Sequence, residues 1–107
     1  MIEPQNFSAT GPGPFIGDGS LLSSFSLEVD APAGSGATWT VNLEGSLTGN
    51  STESWTPILT HTNTNPGNGL IESTGAGFFP CRFRRINVIS LSLGTASSIL
   101  VKVEGNP

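Results

Sequence analysis

The sequence predicts an all-β fold: a single β-sandwich of the jelly-roll or immunoglobulin-like kind over residues 21–107, preceded by an extended Pro/Gly-rich arm over residues 1–20. Three observations carry this expectation. Apolar and polar residues alternate with period two in several runs, as in strands buried on one face. Clusters of Gly, Pro, Asn, Asp and Ser interrupt these runs about every 8–12 residues, the spacing of short strands joined by turns. No stretch repeats its apolar residues with the period of about 3.6 that a helix requires.

The first 20 residues hold Pro4, Pro12 and Pro14 with Gly11, Gly13, Gly17 and Gly19, which removes ladder donors and prevents a regular helix. Phe7, Phe15 and Ile16 stand out there, because a disordered tail has little use for apolar side chains. They are expected to anchor a docking arm on a partner. Covering an open edge of its own sandwich is the competing role.

From residue 21 the alternation begins, with Phe25, Leu27 and Val29 on one face and Ser24, Ser26 and Glu28 on the other. A Pro/Gly/Ser turn follows Asp30, and a second run places Trp39, Val41 and Leu43 together. Residues 55–62 read as a weaker strand, which Pro57 confines to an edge or a strand start. Residues 63–69 form a loop and residues 70–73 a short strand. In the long run over residues 78–92, Phe79, Cys81 and Phe83 alternate with Arg82 and Arg84, but beyond Arg85 the apolar phase passes to Ile86 and Val88, then to Ile89 and Leu91. A phase slip requires a bulge or a bend; a bulge is expected near Arg84 and Arg85, where the strand would pass from one sheet to the other or from an exposed to a doubly buried position. Ile99, Val101 and Val103 complete a core expected to include Phe25, Leu27, Val29, Trp39, Val41, Leu43, Phe83 and Val88.

Eight acidic and four basic residues give a net charge of −4, which disfavours a nucleic-acid partner. The longest mostly apolar stretch, residues 86–93, is far short of the roughly 20 residues of a membrane span. The start lacks the basic and apolar regions of a secretory signal. With one histidine and one cysteine, no metal or cofactor site is expected. His61 lacks the partners of a catalytic base and reads as a surface residue beside a polar loop. Cys81 reads as a small buried hydrophobe. No catalytic role is assigned, and the chain is not expected to be an enzyme.

Arg82, Arg84 and Arg85 hold three of the four positive charges. They fit either cross-strand pairing with Glu28, Glu44 or Glu104 or a docking patch for an acidic partner. Trp39 is in phase with the core. Trp55 follows a polar loop, where it either caps the core or stacks on a sugar at the rim.

Residues 41–50 (VNLEGSLTGN), 55–59 (WTPIL), 83–96 (FRRINVISLSLGTA) and 99–105 (ILVKVEG) together resemble a pattern in small β-sandwich virion proteins of tailed bacteriophages. In that pattern a strand ends in Leu-Glu-Gly-Ser, a loop precedes a Trp, and a strand with Arg then Asn leads through a Gly-Thr turn to a final strand. The family's aromatic–Arg pair falls within residues 82–85, where three arginines compete for its position. The resemblance implies a virion structural protein, foremost a capsid decoration or cement protein that binds and stabilises the head shell. Its partners would be other virion proteins, above all the major capsid protein. It would be made in the host cytoplasm and reside on the capsid surface as a homo-oligomer, possibly a trimer. A tail, baseplate or fibre-associated module is the nearest rival, and a carbohydrate-binding module using Trp55 is the alternative of another class.

Overall fold

The computed structural model describes residues 4–14, 17, 21–32, 34–47, 55–63 and 74–106, with the backbone alone for 74–80. The strands are β1 (Gln5–Phe7), β2 (Gly11–Pro12), β3 (Leu22–Asp30), β4 (Thr38–Ser46), β5 (Thr56–Asn63), β6 (Thr74–Cys81), β7 (Phe83–Ser92) and β8 (Ile99–Asn106). They form two antiparallel sheets, ordered β1-β8-β3-β6 and β2-β7-β4-β5, packed as a β-sandwich. First pairs with last throughout: β1 with β8, β2 with β7, β3 with β6 and β4 with β5. The chain is thus one long hairpin, rolled so that successive rungs fall alternately in the two sheets, with β3–β8 and β4–β7 pairing to close each sheet.

Alternation decides which side chains enter the space between the sheets. Phe25, Leu27 and Val29 of β3, Trp39, Val41 and Leu43 of β4, and Ile99, Val101 and Val103 of β8 are all buried there, as the sequence predicts. Burial of each large apolar side chain contributes about 1.5–3 kcal/mol.

In β7 the phase differs from the expectation. Phe83 is half-buried on the outer face, and Arg84, Ile86 and Val88 take the inward positions. The crossing between sheets lies at Arg82, the single residue between β6 and β7, whose N–H donates to the Ser46 carbonyl at 3.2 Å. Because the crossing breaks the ladder before β7 starts, no bulge is needed at Arg84 and Arg85. The bulge lies farther along, where Thr40 faces Ser90 but Val41 faces Val88. Ile89 is the extra residue and is half exposed. A second bulge, between Leu43–Leu59 and Glu44–Pro57, accommodates Ile58. Pro57 sits in an edge strand, where a missing N–H costs no ladder bond.

The described part of residues 1–20 is not a projecting arm. β1 lines the β8 edge of one sheet and β2 the β7 edge of the other, while Gly13 N–H donates to the Ile86 carbonyl at 2.7 Å. Phe7 packs on the domain's own core and so is not an outward anchor. Unpaired ladder groups on β7 and β8 account for this arrangement, since the nearest chain able to satisfy them is this segment. Phe15 and Ile16, and the short strand expected at residues 70–73, lie outside the described residues.

Removing residues 1–14 is therefore expected to lower the melting temperature and to cause concentration-dependent association through the exposed edges. A loss of only about 1 kcal/mol shifts the midpoint of a domain of this size by roughly 4–8 °C. Calorimetry and sedimentation of the shortened chain check both effects.

Candidate functional site

The short crossing at Arg82 brings several chain segments to one end of the sandwich. Leu22 pairs with Cys81 on one side of the crossing and Ser46 with Phe83 on the other, so Leu21 and Leu47 flank Arg82. All three side chains are exposed, Leu21 to 46% and Leu47 to 55%. Gly17 reaches the same corner with φ at +139°, and any Cβ there would strike the Arg82 carbonyl oxygen. Glycine is needed at this close approach.

On the adjoining outer face, Glu44 and Arg85 are cross-strand partners. Arg85 Nε donates to Glu44 Oε1 at 2.7 Å, and Asn87 Nδ2 donates to Oε2 at 3.2 Å. The carboxylate is nearly buried, 6% exposed for the residue as a whole, so both oxygens need such donors. The Arg85 guanidinium lies over the Trp55 ring, 4.8 Å from its centroid. A charge-assisted bond on one side and a cation–π contact on the other hold it in one pose.

Arg84 points the opposite way. It is fully buried, with its guanidinium 5.7 Å from the centre of the Phe25 ring. Burial pushes the nearby Cys81 thiol up, and the Arg84 charge and a backbone hydrogen bond from Ser46 offset only part of that shift. A buried thiol held protonated is unreactive.

His61 is also inside, contrary to the surface position expected of it. Trp39 Nε1 donates to His61 Nδ1 at 2.8 Å, and the rings stack with centroids 5.9 Å apart. A buried indole N–H requires an acceptor, and the neutral imidazole supplies it. Burial holds the imidazole below its ordinary value of 6.5, because loss of hydration disfavours its charged form.

Of the residues singled out by sequence, Arg82, Arg85 and Trp55 meet at this end. Arg84 and Phe7 face the interior, so neither presents a side chain to a partner. Glu44 is one of the acids expected to pair across strands with the arginines, and it does so with Arg85. Leu21, Leu47 and Asn87 join the site without having been foreseen as members; the available signal for the leucines was their position next to strand ends. Among the described residues no three His, Cys, Asp or Glu side chains converge as metal ligands.

No protein-family model and no curated protein sequence matches the chain. Among solved structures, the fold is similar to the K1 cleaved adhesin domain of Lys-gingipain (Kgp) from Porphyromonas gingivalis W83. The TM-score is 0.56 at 14% identity, covering 90% of this chain and 62% of that one. At this identity the likeness extends to the fold alone.

Two outcomes follow from these placements. Arg84→Ala, which vacates a filled interior position, is expected to cost about 2–5 kcal/mol. Arg82→Ala, at an exposed position, should cost less than Arg84→Ala; denaturant unfolding of the two variants ranks them. The His61 contribution to stability should be complete above about pH 6.5 and lost as the pH falls through the depressed folded-state value, because the unfolded chain takes up the proton first. Melting temperatures of wild type and His61→Gln across that range should converge toward the acid side.

Proposed function

We propose that this chain is a non-enzymatic structural protein of a tailed-phage virion, a capsid decoration protein that binds and stabilises the head shell through the Arg82 corner. The observation carrying this reading is the composition of that corner. Two exposed leucines flank an exposed arginine, and a second arginine is held in a fixed pose beside them. Apolar residues around Arg82 form the kind of patch that packs against a protein surface, and the guanidinium suits an acidic one.

The rolled-hairpin strand order is that of a jelly roll, an architecture found in viral capsid domains and in lectins. This architecture supports the virion reading that the pattern in residues 39–105 suggests. Attachment to a tail or baseplate would use the same corner. Sugar binding at Trp55 is disfavoured because Arg85 already covers one face of the indole ring. A trimer on a symmetry axis would multiply the contact area of so small a domain.

The test is addition of purified protein to particles lacking it. Wild type should bind at a copy number matching the capsid lattice. The Arg82→Glu/Leu47→Asp variant should keep its melting temperature and fail to bind. Undiminished binding of this variant would refute the corner as the docking site, and recovery of wild type on tails alone would refute the head location.

A further inference from the structure

β5 lies at the end of its sheet and, among the described residues, pairs along its ladder with β4 alone. At its C-terminal end the inward side chains are His61 and Asn63, both polar and both buried. One hydrogen bond ties each of them down. Trp39 Nε1 donates to His61 Nδ1 at 2.8 Å, and Asn63 Nδ2 donates to the Ala37 carbonyl at 2.9 Å. On the outer face Thr60 Oγ1 donates to Asn42 Oδ1 at 2.7 Å, and the Thr62 and Thr40 hydroxyls stand 3.5 Å apart. Residues 60–63 bury no apolar side chain, so this end of β5 can leave β4 without exposing apolar surface of its own.

The His61 tie depends on protonation. Nδ1 accepts only while the imidazole is neutral, because the imidazolium carries a proton on both ring nitrogens. Protonation in place would leave a charge in the interior and the indole N–H without an acceptor; both costs vanish once the ring reaches water. The lowered proton affinity of the buried ring agrees with this. Among the described residues no other charge faces His61. On β4 the titratable group is Glu44, turned outward onto Arg85. On β3 they are Glu28 and Asp30, turned outward onto Lys102, and on β6 it is Cys81, at the end adjoining the Arg82 crossing. The inward guanidinium of Arg84 belongs to a residue level with Gly45, about 20 Å along β4 from Trp39.

We propose that residues 60–63 form an acid-operated catch on the sheet edge: protonation of His61 withdraws the acceptor from Trp39, and this end of β5 detaches from β4 while the rest of the sandwich stays folded. The open form uncovers the Trp39 indole and the adjoining edge of β4, whose freed ladder groups can pair with another chain. Acid thus acts first on one strand end, ahead of the whole domain. The catch is independent of the virion reading.

The test is native-state hydrogen exchange of the full chain between about pH 7.5 and 5, where carboxylates stay largely ionised. The amides that bond residues 60–63 to β4, and the Trp39 indole N–H, are expected to be at least about tenfold less protected than the amides of β3 and β8. Low denaturant should leave their exchange unchanged while accelerating that of β3 and β8, since a local opening exposes little surface. Below about pH 6.5 their protection should fall by up to about tenfold per pH unit, the slope of one proton. His61→Gln, which offers an acceptor that does not titrate, should abolish the slope. Asn63→Ala, which removes the Ala37 tie and keeps the titrating group, should lower the protection of the same groups at every pH and retain the slope; melting temperatures verify that both variants fold. Exchange in step with β3 and β8 at every denaturant concentration, protection independent of pH, a slope that survives in His61→Gln, or undiminished protection in Asn63→Ala would overturn the proposal.

Discussion

The phase of β7, with Arg84, Ile86 and Val88 turned inward, decides the face that the molecule presents at one end. With Arg84 turned toward Phe25, alternation sends Phe83, Arg85 and Asn87 outward. Arg85 then faces Glu44 across the ladder and stacks on Trp55, while Ile86 and Val88 complete the interior. A shift of one residue would bury Arg85 and Asn87 and expel Ile86 and Val88. An interior guanidinium is costly, so the phase must be held by the two apolar residues that follow it. The single-residue crossing at Arg82 fixes where that phase begins.

The same economy of connection explains the two short strands at the start of the chain. A rolled hairpin leaves its outermost rungs at the sheet edges, and an uncovered edge invites pairing with other chains. Two strands of three and two residues cap β8 and β7 with few contacts of their own. Their prolines and glycines suit that role, since each strand need satisfy only one side of a ladder and the chain must then turn to reach the other sheet.

Where one face of a strand is wholly apolar, the sequence reveals the fold directly: β3, β4 and β8 read correctly from alternation alone. β7 did not, because Cys-Arg-Phe-Arg-Arg over residues 81–85 supports either phase until one knows that an arginine is inside. The misplaced bulge is a consequence of that one error. β1 and β2 are too short to show a period, and their partners lie more than 70 residues away in sequence, so only the tertiary structure discloses them. His61 was legible in principle, since it shares parity with Leu59, which faces Leu43. The polar loop beside it suggested the surface instead. At the candidate site, the arginines and Trp55 carried a visible chemical signature, whereas Leu21 and Leu47 matter only through the corner that brings them to Arg82.

The two ends of the domain differ in electrostatic character. β3 runs from beside the Arg82 crossing at Leu22 to Asp30, roughly 25 Å at the rise of an extended strand. One end carries Arg82 and the Arg85–Glu44 pair with exposed leucines; the other carries Glu28 and Asp30 against a single lysine. Because the two groups lie at opposite ends of β3, a small partner surface cannot meet both. An acidic partner is steered to the Arg82 end and repelled by the opposite one, which gives the domain a preferred orientation before any contact forms. The rigid sandwich keeps these ends apart, so the far end stays accessible when the first is engaged.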